Sequence, residues 1–356
     1  MQTIFHIIDT LNRGGAETLL LEVVKNLKQY NNYIITLTNE NDFSEEETAG
    51  MKIISLKFTS FKSLPSTVLR LKRLIAAHKP SIIHAHLPLS SFVARLVKPA
   101  NARLFISVHN KYSESLKAVS RKMFLLEKLL HSGNESLIFV SASIKADYEK
   151  IIGIKGKSVI LYNFIADKFF EQVYTVKSEL IPKPIRLVAV GSFKYQKNFD
   201  TLLEAFSILD ASNFSLDIYG DGPEKVKLEN IITQYKLNNV SLKGAVADIE
   251  KQLPQYDAFV LASRYEGFGL APLEAAVSGL PLLLSDIEVF REVTESYATF
   301  FSPHKAEEIA KAIQEFKEGY SAACKKAAGL RTIVKEKYAK PSYMKQLQNI
   351  YIEQAL

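Results

Sequence analysis

Short apolar runs that alternate with amphipathic stretches are the feature that most limits the fold of this chain. The first run, Thr3–Ile8, has the composition of a strand, and an amphipathic segment follows it over about 16–27. This alternation continues to about residue 140 and then restarts at Ile185–Val190. Strands that alternate with helices predict βαβ units, whose parallel strands are buried on both faces. Two separate series predict two doubly wound α/β domains in tandem.

The length agrees with two domains. A single hydrophobic core stops growing at roughly 250–300 residues, and this chain has 356. We predict an N-terminal Rossmann-like domain over 1–180, a C-terminal one over 181–340, and a helix over 341–356 that packs back on the first domain. The aperiodic stretch 173–184, which contains two prolines, is the predicted linker.

Composition places the chain among ordinary globular proteins, with 47% hydrophobic and 23% charged residues. Cys324 is the single cysteine, which excludes an intrachain disulfide and fits a reducing compartment. Met1–Asp9 lacks the charged start of a secretion signal, and no run approaches the roughly 18–20 apolar residues of a membrane span. These features predict a cytoplasmic protein, either free or at the inner face of the membrane.

Positive charge is concentrated in the first half of the chain. Residues 1–180 hold 24 Lys and Arg against 16 Asp and Glu, a net of +8, and the remainder holds 21 against 22. Within 52–128, 15 basic residues accompany only Glu114 and Glu127. Such a segment is either a set of solvated helix faces or a surface for an anionic partner. It lacks the regular aromatic spacing that stacks single-stranded nucleic acid, so we expect no nucleic-acid partner.

Four loops with unusual content follow predicted strands, where open parallel sheets bind their ligands. Backbone amides near Gly15 could approach an anion, and Lys197 could neutralise a diphosphate. Glu266 lies in a glycine-rich loop, with Glu274 one turn inside the next helix, which favours a polyhydroxylated ligand. The remaining loop, Tyr219–Glu224, predicts an architectural turn. The four loops are Asn12–Glu17, Gly191–Asn198, Tyr219–Glu224 and Ser263–Ala275.

The segment EGFGLAPLEA at 266–275, in which seven residues separate two glutamates, resembles the signature of family 4 retaining glycosyltransferases. Other motifs of that family precede this segment in the order that the family has them, namely GGAE at 14–17, SVH at 107–109, VGSFKYQKN at 190–198 and GDGPE at 220–224. The resemblance covers essentially the whole chain. It implies the GT-B fold, in which two Rossmann-like doubly wound α/β domains face a cleft.

The resemblance also implies roles for individual residues. Glu266 would bind hydroxyls of the donor sugar, Glu274 those of the ribose, and Lys197 the diphosphate. His109 would orient the reacting sugar. The implied catalytic residues are His109, Glu266 and Lys197, and the implied donor-binding residues are Gly15, Ser192, Lys197, Glu266, Gly267, Phe268, Gly269, Leu270 and Glu274.

One position departs from the family pattern. Many relatives carry arginine where this chain has Ser192, so one of two diphosphate cations is missing. Lys194 or Arg264 could supply it. Glu17, in the GGAE motif, is expected to order its glycine loop or the acceptor side.

The implied reaction is retaining transfer of a hexose from a UDP- or GDP-sugar to a carbohydrate or lipid-linked acceptor in cell-envelope polysaccharide biosynthesis. No cofactor is expected beyond the nucleotide-sugar, and no metal, since no DxD-like motif ends a strand. The basic 52–128 region would meet an anionic membrane surface. A nucleotide-sugar 2-epimerase of the same architecture and a non-catalytic protein that binds nucleotide-sugars or anions are the alternatives.

Three histidines lie in predicted strands or at the end of one. His84 and His86 flank Ala85, so their side chains should point the same way, which is a weak indication of a metal site. We expect a structural or acceptor-side role for this pair, and we expect His6 to be buried with its hydrogen bonds satisfied.

Overall fold

The computed structural model describes residues 1–114, 121–172, 180–295 and 297–353, without the side chains of 121–124. The chain divides into two compact units, residues 1–163 with 341–356 (unit 1) and residues 164–340 (unit 2). The sequence analysis puts the junction after residue 180, which is inside unit 2. Most of the predicted linker lies outside the described residues, at 173–179.

Unit 1 is built on a seven-stranded parallel sheet with the order β3-β2-β1-β4-β5-β6-β7. Its strands are β1 Thr3–Ile8, β2 Asn31–Thr36, β3 Lys52–Ser55, β4 Ile82–His86, β5 Arg103–Val108, β6 Glu135–Phe139 and β7 Ser158–Ile160. Its described helices are α1 Gly15–Asn26, α2 Leu64–His78, α3 Pro88–Val97, α4 Arg121–Leu130 and α5 Ala142–Ile151, with a short 3₁₀ turn at Phe61–Ser63.

Unit 2 is built on a six-stranded parallel sheet with the order β10-β9-β8-β11-β12-β13. Its strands are β8 Ile185–Val190, β9 Phe214–Tyr219, β10 Val240–Gly244, β11 Ala258–Leu261, β12 Leu282–Ser285 and β13 Thr299–Phe301. Its helices are α6 Asp167–Phe170, α7 Phe199–Phe206, α8 Lys225–Gln234, α9 Ile249–Gln252, α10 Leu270–Val277, α11 Glu288–Thr294, α12 Ala306–Glu318 and α13 Tyr320–Lys337, with 3₁₀ turns at Tyr195–Lys197 and Leu253–Gln255. A last helix, α14 Lys340–Glu353, returns the chain to unit 1.

Burial explains why the central strands are nearly continuous apolar runs. All of β4 and all of β11 are buried, because helices cover both faces of each sheet. The order of strands reverses between β1 and β4 in unit 1, and between β8 and β11 in unit 2. In sheets of this kind, ligands bind where the order reverses, beyond the carboxyl ends of the strands.

The predicted fold class, two parallel α/β sheets, is confirmed. Two strands that the sequence analysis did not predict are the edge strands β7 and β13, each of three residues. In the part of the chain that the structure describes, no helix has the length and apolar character that a membrane span requires.

Candidate active site

Lys197 and Glu266 form an ion pair at the point where the strand order of unit 2 reverses. Lys197 follows β8 in a 3₁₀ turn, and Glu266 lies in the loop after the adjacent strand β11. Lys197 Nζ is 2.6 Å from Glu266 Oε1. A Cβ atom at Gly191 would lie 3.0 Å from Lys197 Cε, so the glycine makes room for the lysine stem to cross the start of the loop.

Glu266 is held by three protein donors. Besides Lys197, Ser263 Oγ donates to its Oε1 over 2.8 Å, and Gln196 Nε2 donates to its Oε2 over 3.0 Å. The residue is only 7% exposed. A carboxylate has about four lone-pair sites, so three donors leave it capacity for one further hydrogen bond.

Glu274 lies near this pair on the short helix α10. The helix begins after Gly269, whose φ of 88° is in the left-handed region and whose Cβ would lie 2.8 Å from Phe290 Cε1. Among the described residues, no donor reaches the Glu274 carboxylate. Burial raises its pKa to about 7, although the charges of Lys168 and Lys197 act in the opposite direction. Glu274 therefore holds a proton part of the time at neutral pH.

A second ion pair accompanies Glu274. Lys168 Nζ is 2.8 Å from Glu250 Oε2 and donates to the carbonyl of Ala247 over 3.1 Å. The negative charge of Glu250 adds to the rise in the pKa of Glu274. Sequence reasoning missed Lys168 and Glu250, since neither belongs to a motif. It also missed Gln196 and Ser263, although both lie inside the loops that it singled out.

Arg264 does not offer a free guanidinium in place of the arginine that Ser192 replaces. Arg264 donates to Asp200 Oδ1 over 3.2 Å and to the carbonyl of Tyr195, and it stacks on the Tyr195 ring at 4.0 Å. Lys194, in contrast, is exposed. Of the two candidates for the missing cation, Lys194 is the exposed one.

The GDGPE loop supports the loop that carries Lys197. A Cβ at Gly220 would lie 1.9 Å from the carbonyl oxygen of Gly191, and one at Gly222 would lie 2.7 Å from that of Phe193. Phe193 and Asp221 are also joined by a backbone hydrogen bond of 2.9 Å. These contacts match the predicted architectural role of the loop.

In unit 1, the glycine loop before α1 is tied down by neighbouring side chains. The backbone amide of Arg13 donates to Asp42 Oδ2 over 2.9 Å, and the guanidinium pairs with Glu47 at 2.8 Å. A Cβ at Gly14 would lie 2.5 Å from Glu17 Oε2, so the carboxylate covers the loop. Gly15 is the first residue of the helix that follows.

His109 lies just beyond the carboxyl end of β5 and is partly exposed. Its Nε2 is 3.3 Å from Nδ1 of His86. Burial lowers the pKa of His109 to about 4, so the ring is neutral at physiological pH. Sequence reasoning did not predict its contact with His86.

The structure therefore brings most of the predicted donor-binding residues together in unit 2. Lys197 and Glu266 are in contact, and the charge of Lys197 acts on Glu274. Ser192 lies in the same loop as Lys197, and residues 267–270 join Glu266 to α10. The other predicted residues, Gly15 and His109, belong to unit 1.

Two protein families match consecutive parts of the sequence. Residues 13–169 match the family described as Glycosyltransferase Family 4, and residues 172–331 match the family described as Glycosyl transferases group 1. Together they span nearly all of both units.

Individual relatives agree with these matches. A Klebsiella pneumoniae protein described as an uncharacterized 41.2 kDa protein in the cps region is 25% identical over 82% of each chain. The O-antigen biosynthesis glycosyltransferase WclY of Escherichia coli is 22% identical over 84% of each chain. The structure of Anabaena HepE in complex with UDP and glucose superposes with a TM-score of 0.86 at 17% identity, covering 99% of this chain and all of the other. With both family matches and this shared fold, the chain belongs to the family 4 glycosyltransferases and has the GT-B fold.

Proposed function

We propose that this protein transfers a hexose from a UDP- or GDP-sugar to a carbohydrate or lipid-linked acceptor, with retention of the anomeric configuration, in the synthesis of a cell-envelope polysaccharide. The observation that carries the proposal is the cluster of Lys197, Glu266 and Glu274 where the strand order of unit 2 reverses. One ammonium and two carboxylates suit a ligand that combines a diphosphate with sugar hydroxyls.

Relatives support the donor and the pathway. HepE has been crystallised with UDP-glucose, and that complex has the same fold as this chain, with a TM-score of 0.86. The K. pneumoniae relative is described by its location in a cps region, and WclY by its role in O-antigen biosynthesis.

The contacts and charges of the side chains support a role for each of them in this proposal. Lys197 stabilises the charge that develops on the departing diphosphate, and its bond to Glu266 holds the ammonium in place before the donor arrives. The Glu266 carboxylate accepts its one further hydrogen bond from a sugar hydroxyl. Glu274 accepts from the ribose hydroxyls, and His109 orients the reacting sugar as a neutral ring. The acceptor hydroxyl attacks the sugar on the same face from which the diphosphate leaves. The departing diphosphate helps to remove the proton of that hydroxyl.

A donor panel tests the proposal. The purified protein is incubated with UDP-glucose, UDP-galactose, UDP-N-acetylglucosamine and GDP-mannose, and the release of nucleoside diphosphate is measured with and without an oligosaccharide acceptor. We expect slow hydrolysis of one donor, faster release with acceptor, and no need for added Mg²⁺ or Mn²⁺. Isomerisation of the donor sugar without transfer would favour a 2-epimerase. Binding of a donor without turnover would favour a non-catalytic protein.

We further propose that unit 1 binds an anionic membrane surface at the inner face of the membrane. Not all of the basic 52–128 region is available, since Arg95 is buried between two glutamates. Large apolar side chains are nevertheless exposed close to basic residues, with Phe61 55% exposed beside Lys62 and Leu129 78% exposed beside Lys128. Exposed leucine and phenylalanine next to lysine are typical of membrane-binding surfaces. The lysines attract anionic headgroups, and the apolar side chains enter the membrane–water interface.

Vesicle sedimentation tests this surface. We expect the protein to bind vesicles that contain phosphatidylglycerol and to be released by salt. A variant with Lys62, Lys72 and Arg73 changed to Gln should bind less, whereas the same change at three exposed lysines of unit 2 (Lys251, Lys311 and Lys335) should have little effect. Equal binding to neutral and anionic vesicles would contradict the proposal.

A further inference from the structure

Three buried histidines meet where the strand order of unit 1 reverses. His6 lies in β1, and His84 and His86 lie in the adjacent strand β4, with His6 and His84 directly opposite each other. The rings of His84 and His86 are 4.2 Å apart between centroids. All three side chains are at least nine-tenths buried. One nitrogen from each ring lies within 4.8 Å of the other two.

Hydrogen bonds fix the tautomer of His6. The amide nitrogen of Asn32 donates to the carbonyls of Leu27 and Tyr30, over 2.8 and 3.2 Å, so its oxygen faces His6. That oxygen is 3.2 Å from His6 Nε2 and accepts from it, which leaves Nδ1 of His6 as a bare lone pair. The expectation that His6 is satisfied is therefore wrong for Nδ1, which has no hydrogen-bond partner among the described residues.

His86 shows the same imbalance. Its Nδ1 is 3.3 Å from Nε2 of His109, while its buried Nε2 has no partner within the part of the chain that the structure describes. When Nδ1 donates to His109, Nε2 is a second bare lone pair. A buried polar atom without a partner destabilises the fold, and two such atoms in one cluster point to a shared ligand.

His84 completes the set. Its Nδ1 is 2.6 Å from Tyr351 Oη and its Nε2 is 2.8 Å from Ser107 Oγ, and either hydroxyl can rotate or be displaced when the nitrogen takes a ligand. Burial lowers the pKa of each of the three rings, so all are neutral near pH 7, which is the form that binds metals.

We infer that His6, His84 and His86 form a binding site for a single transition-metal ion, with Zn²⁺ as the ion that fits it. Zinc bonds imidazole nitrogen at about 2.0–2.1 Å, which puts ligand nitrogens about 3.3 Å apart, so small rotations of the rings close the site. Three neutral histidines leave a fourth position for water. Asn32 supplies the carbonyl that zinc-binding histidines usually find for their second nitrogen.

The proposed site has a consequence for its neighbours. His86 ends β4 and contacts the partly exposed His109, which follows the adjacent strand β5. Zinc on Nε2 of His86 strengthens the bond from Nδ1–H to His109. The site would then position the ring that we place beside the reacting sugar, although zinc itself takes no part in the proposed transfer.

Zinc titration of the metal-free, full-length protein tests this inference by calorimetry and thermal unfolding. We expect about one equivalent to bind and to raise Tm. His6→Gln and His86→Gln should lose this binding, and Asn32→Leu should weaken it about 10–100-fold, as expected when a partner of a ligand is removed. His304→Gln, a change at an exposed histidine, should bind as the parent does.

Co²⁺ provides a readout on the unaltered protein in case a variant does not fold. Cobalt in a site of three histidines and water should give the intense visible absorption of tetrahedral coordination, and zinc should abolish it. Failure of the parent to bind zinc or cobalt would overturn the inference. Binding that survives both His6→Gln and His86→Gln would overturn it as well.

Discussion

Each unit contains a cation that interacts with two carboxylates, and the two clusters differ in how completely those carboxylates are satisfied. In unit 1, Arg95 donates to Glu127 over 2.5 Å and to Glu135 over 3.0 Å, and its side chain is 3% exposed. In unit 2, Lys197 bonds Glu266 directly and acts on Glu274 through its charge, and its side chain is 15% exposed. Both clusters pair one cation with two carboxylates, but the cation of unit 2 is more accessible to solvent.

Further donors satisfy the cluster of unit 1. Tyr148 donates to Glu127 over 2.8 Å, and His131 Nδ1 donates to Glu135 over 2.7 Å. The backbone amide of Lys155 donates to the other nitrogen of His131 over 2.8 Å, so both ring nitrogens have partners. Burial alone would raise the pKa of Glu135, but the bond from His131 and the charge of Arg95 lower it to about 2. These carboxylates have little left to offer a ligand.

The cluster of unit 2 leaves one carboxylate unfinished. Glu266 has three donors, but no donor of the described residues reaches the carboxylate of Glu274, and the pKa of Glu274 is raised to about 7. A partly buried carboxylate without donors is destabilised in the free protein and is stabilised when ligand hydroxyls arrive. The Arg95 cluster of unit 1 therefore stabilises the fold, whereas the Lys197 cluster of unit 2 keeps a carboxylate that can accept hydrogen bonds from a ligand.

Replacing Arg95 should have the largest effect on stability. Arg95→Leu leaves Glu127 and Glu135 buried without their cation, and breaking such a buried pair from one side costs about 3–5 kcal/mol. Urea unfolding should show this loss in the free energy of unfolding. Arg73→Leu, at an exposed position of α2, should change it by less than about 0.5 kcal/mol. Equal stability of the two variants would contradict a structural role for Arg95.

Replacing Lys197 should have the largest effect on catalysis. A charged hydrogen bond to the diphosphate is worth about 1.5–3 kcal/mol, so Lys197→Ala should lower kcat/KM about ten- to hundredfold. The control is Lys311→Ala, at a 75% exposed side chain on α12. A Lys197→Ala enzyme with the kinetics of the parent would show that the ammonium does not act on the donor.

The sequence predicted the frame of both units because their central strands are long and apolar. The edge strands β7 and β13, of three residues each, carry too little periodicity to be recognised. The motif residues Lys197 and Glu266 could be predicted because each lies in a loop with glycines, after a clear strand. Their contact could be expected only if the strands before them, β8 and β11, were known to be neighbours in the sheet.

Other contacts between distant segments could not be predicted. Lys168 and Glu250 meet through two short helices that carry no motif, yet both charges act on the pKa of Glu274. The unpaired nitrogen of His6 is another case, since it depends on the orientation of Asn32 in the neighbouring strand. Such features arise from tertiary packing, which a single sequence does not display.

Glu274→Gln should change how stability depends on pH. In the folded protein the carboxyl keeps its proton up to about pH 7, whereas in the unfolded chain it ionises near 4.5. The unfolded state therefore binds fewer protons between these values, and the free energy of unfolding falls as pH rises through this window. Each pH unit is worth about 1.4 kcal/mol, and partial exposure reduces the effect, so we expect Glu274→Gln to gain about 1–2 kcal/mol over the parent at pH 8.

Urea unfolding of the parent and of Glu274→Gln at pH 4 and pH 8 measures this difference. At pH 4 the parent carboxyl is protonated in both states, so the gain should disappear. The same variant should bind UDP more weakly, since an amide replaces an acceptor of ribose hydroxyls. A gain that is equal at both pH values would show that titration of Glu274 is not its cause.

The smallest expected effect concerns the cation that Ser192 does not provide. Arg264 is bound to Asp200 and stacked on Tyr195, so the exposed Lys194 is the remaining candidate in this loop. An exposed ammonium contributes about 0.2–1 kcal/mol, so Lys194→Ala should weaken UDP binding by up to about fivefold at low salt. The loss should shrink in 0.5 M NaCl, because salt screens a solvent-exposed charge. Calorimetry with UDP, beside Lys225→Ala as an exposed control, measures it. A loss that persists at high salt would mean that Lys194 bonds the diphosphate directly, as proposed for Lys197, and would remove the distinction between the half-buried Lys197 and the exposed Lys194.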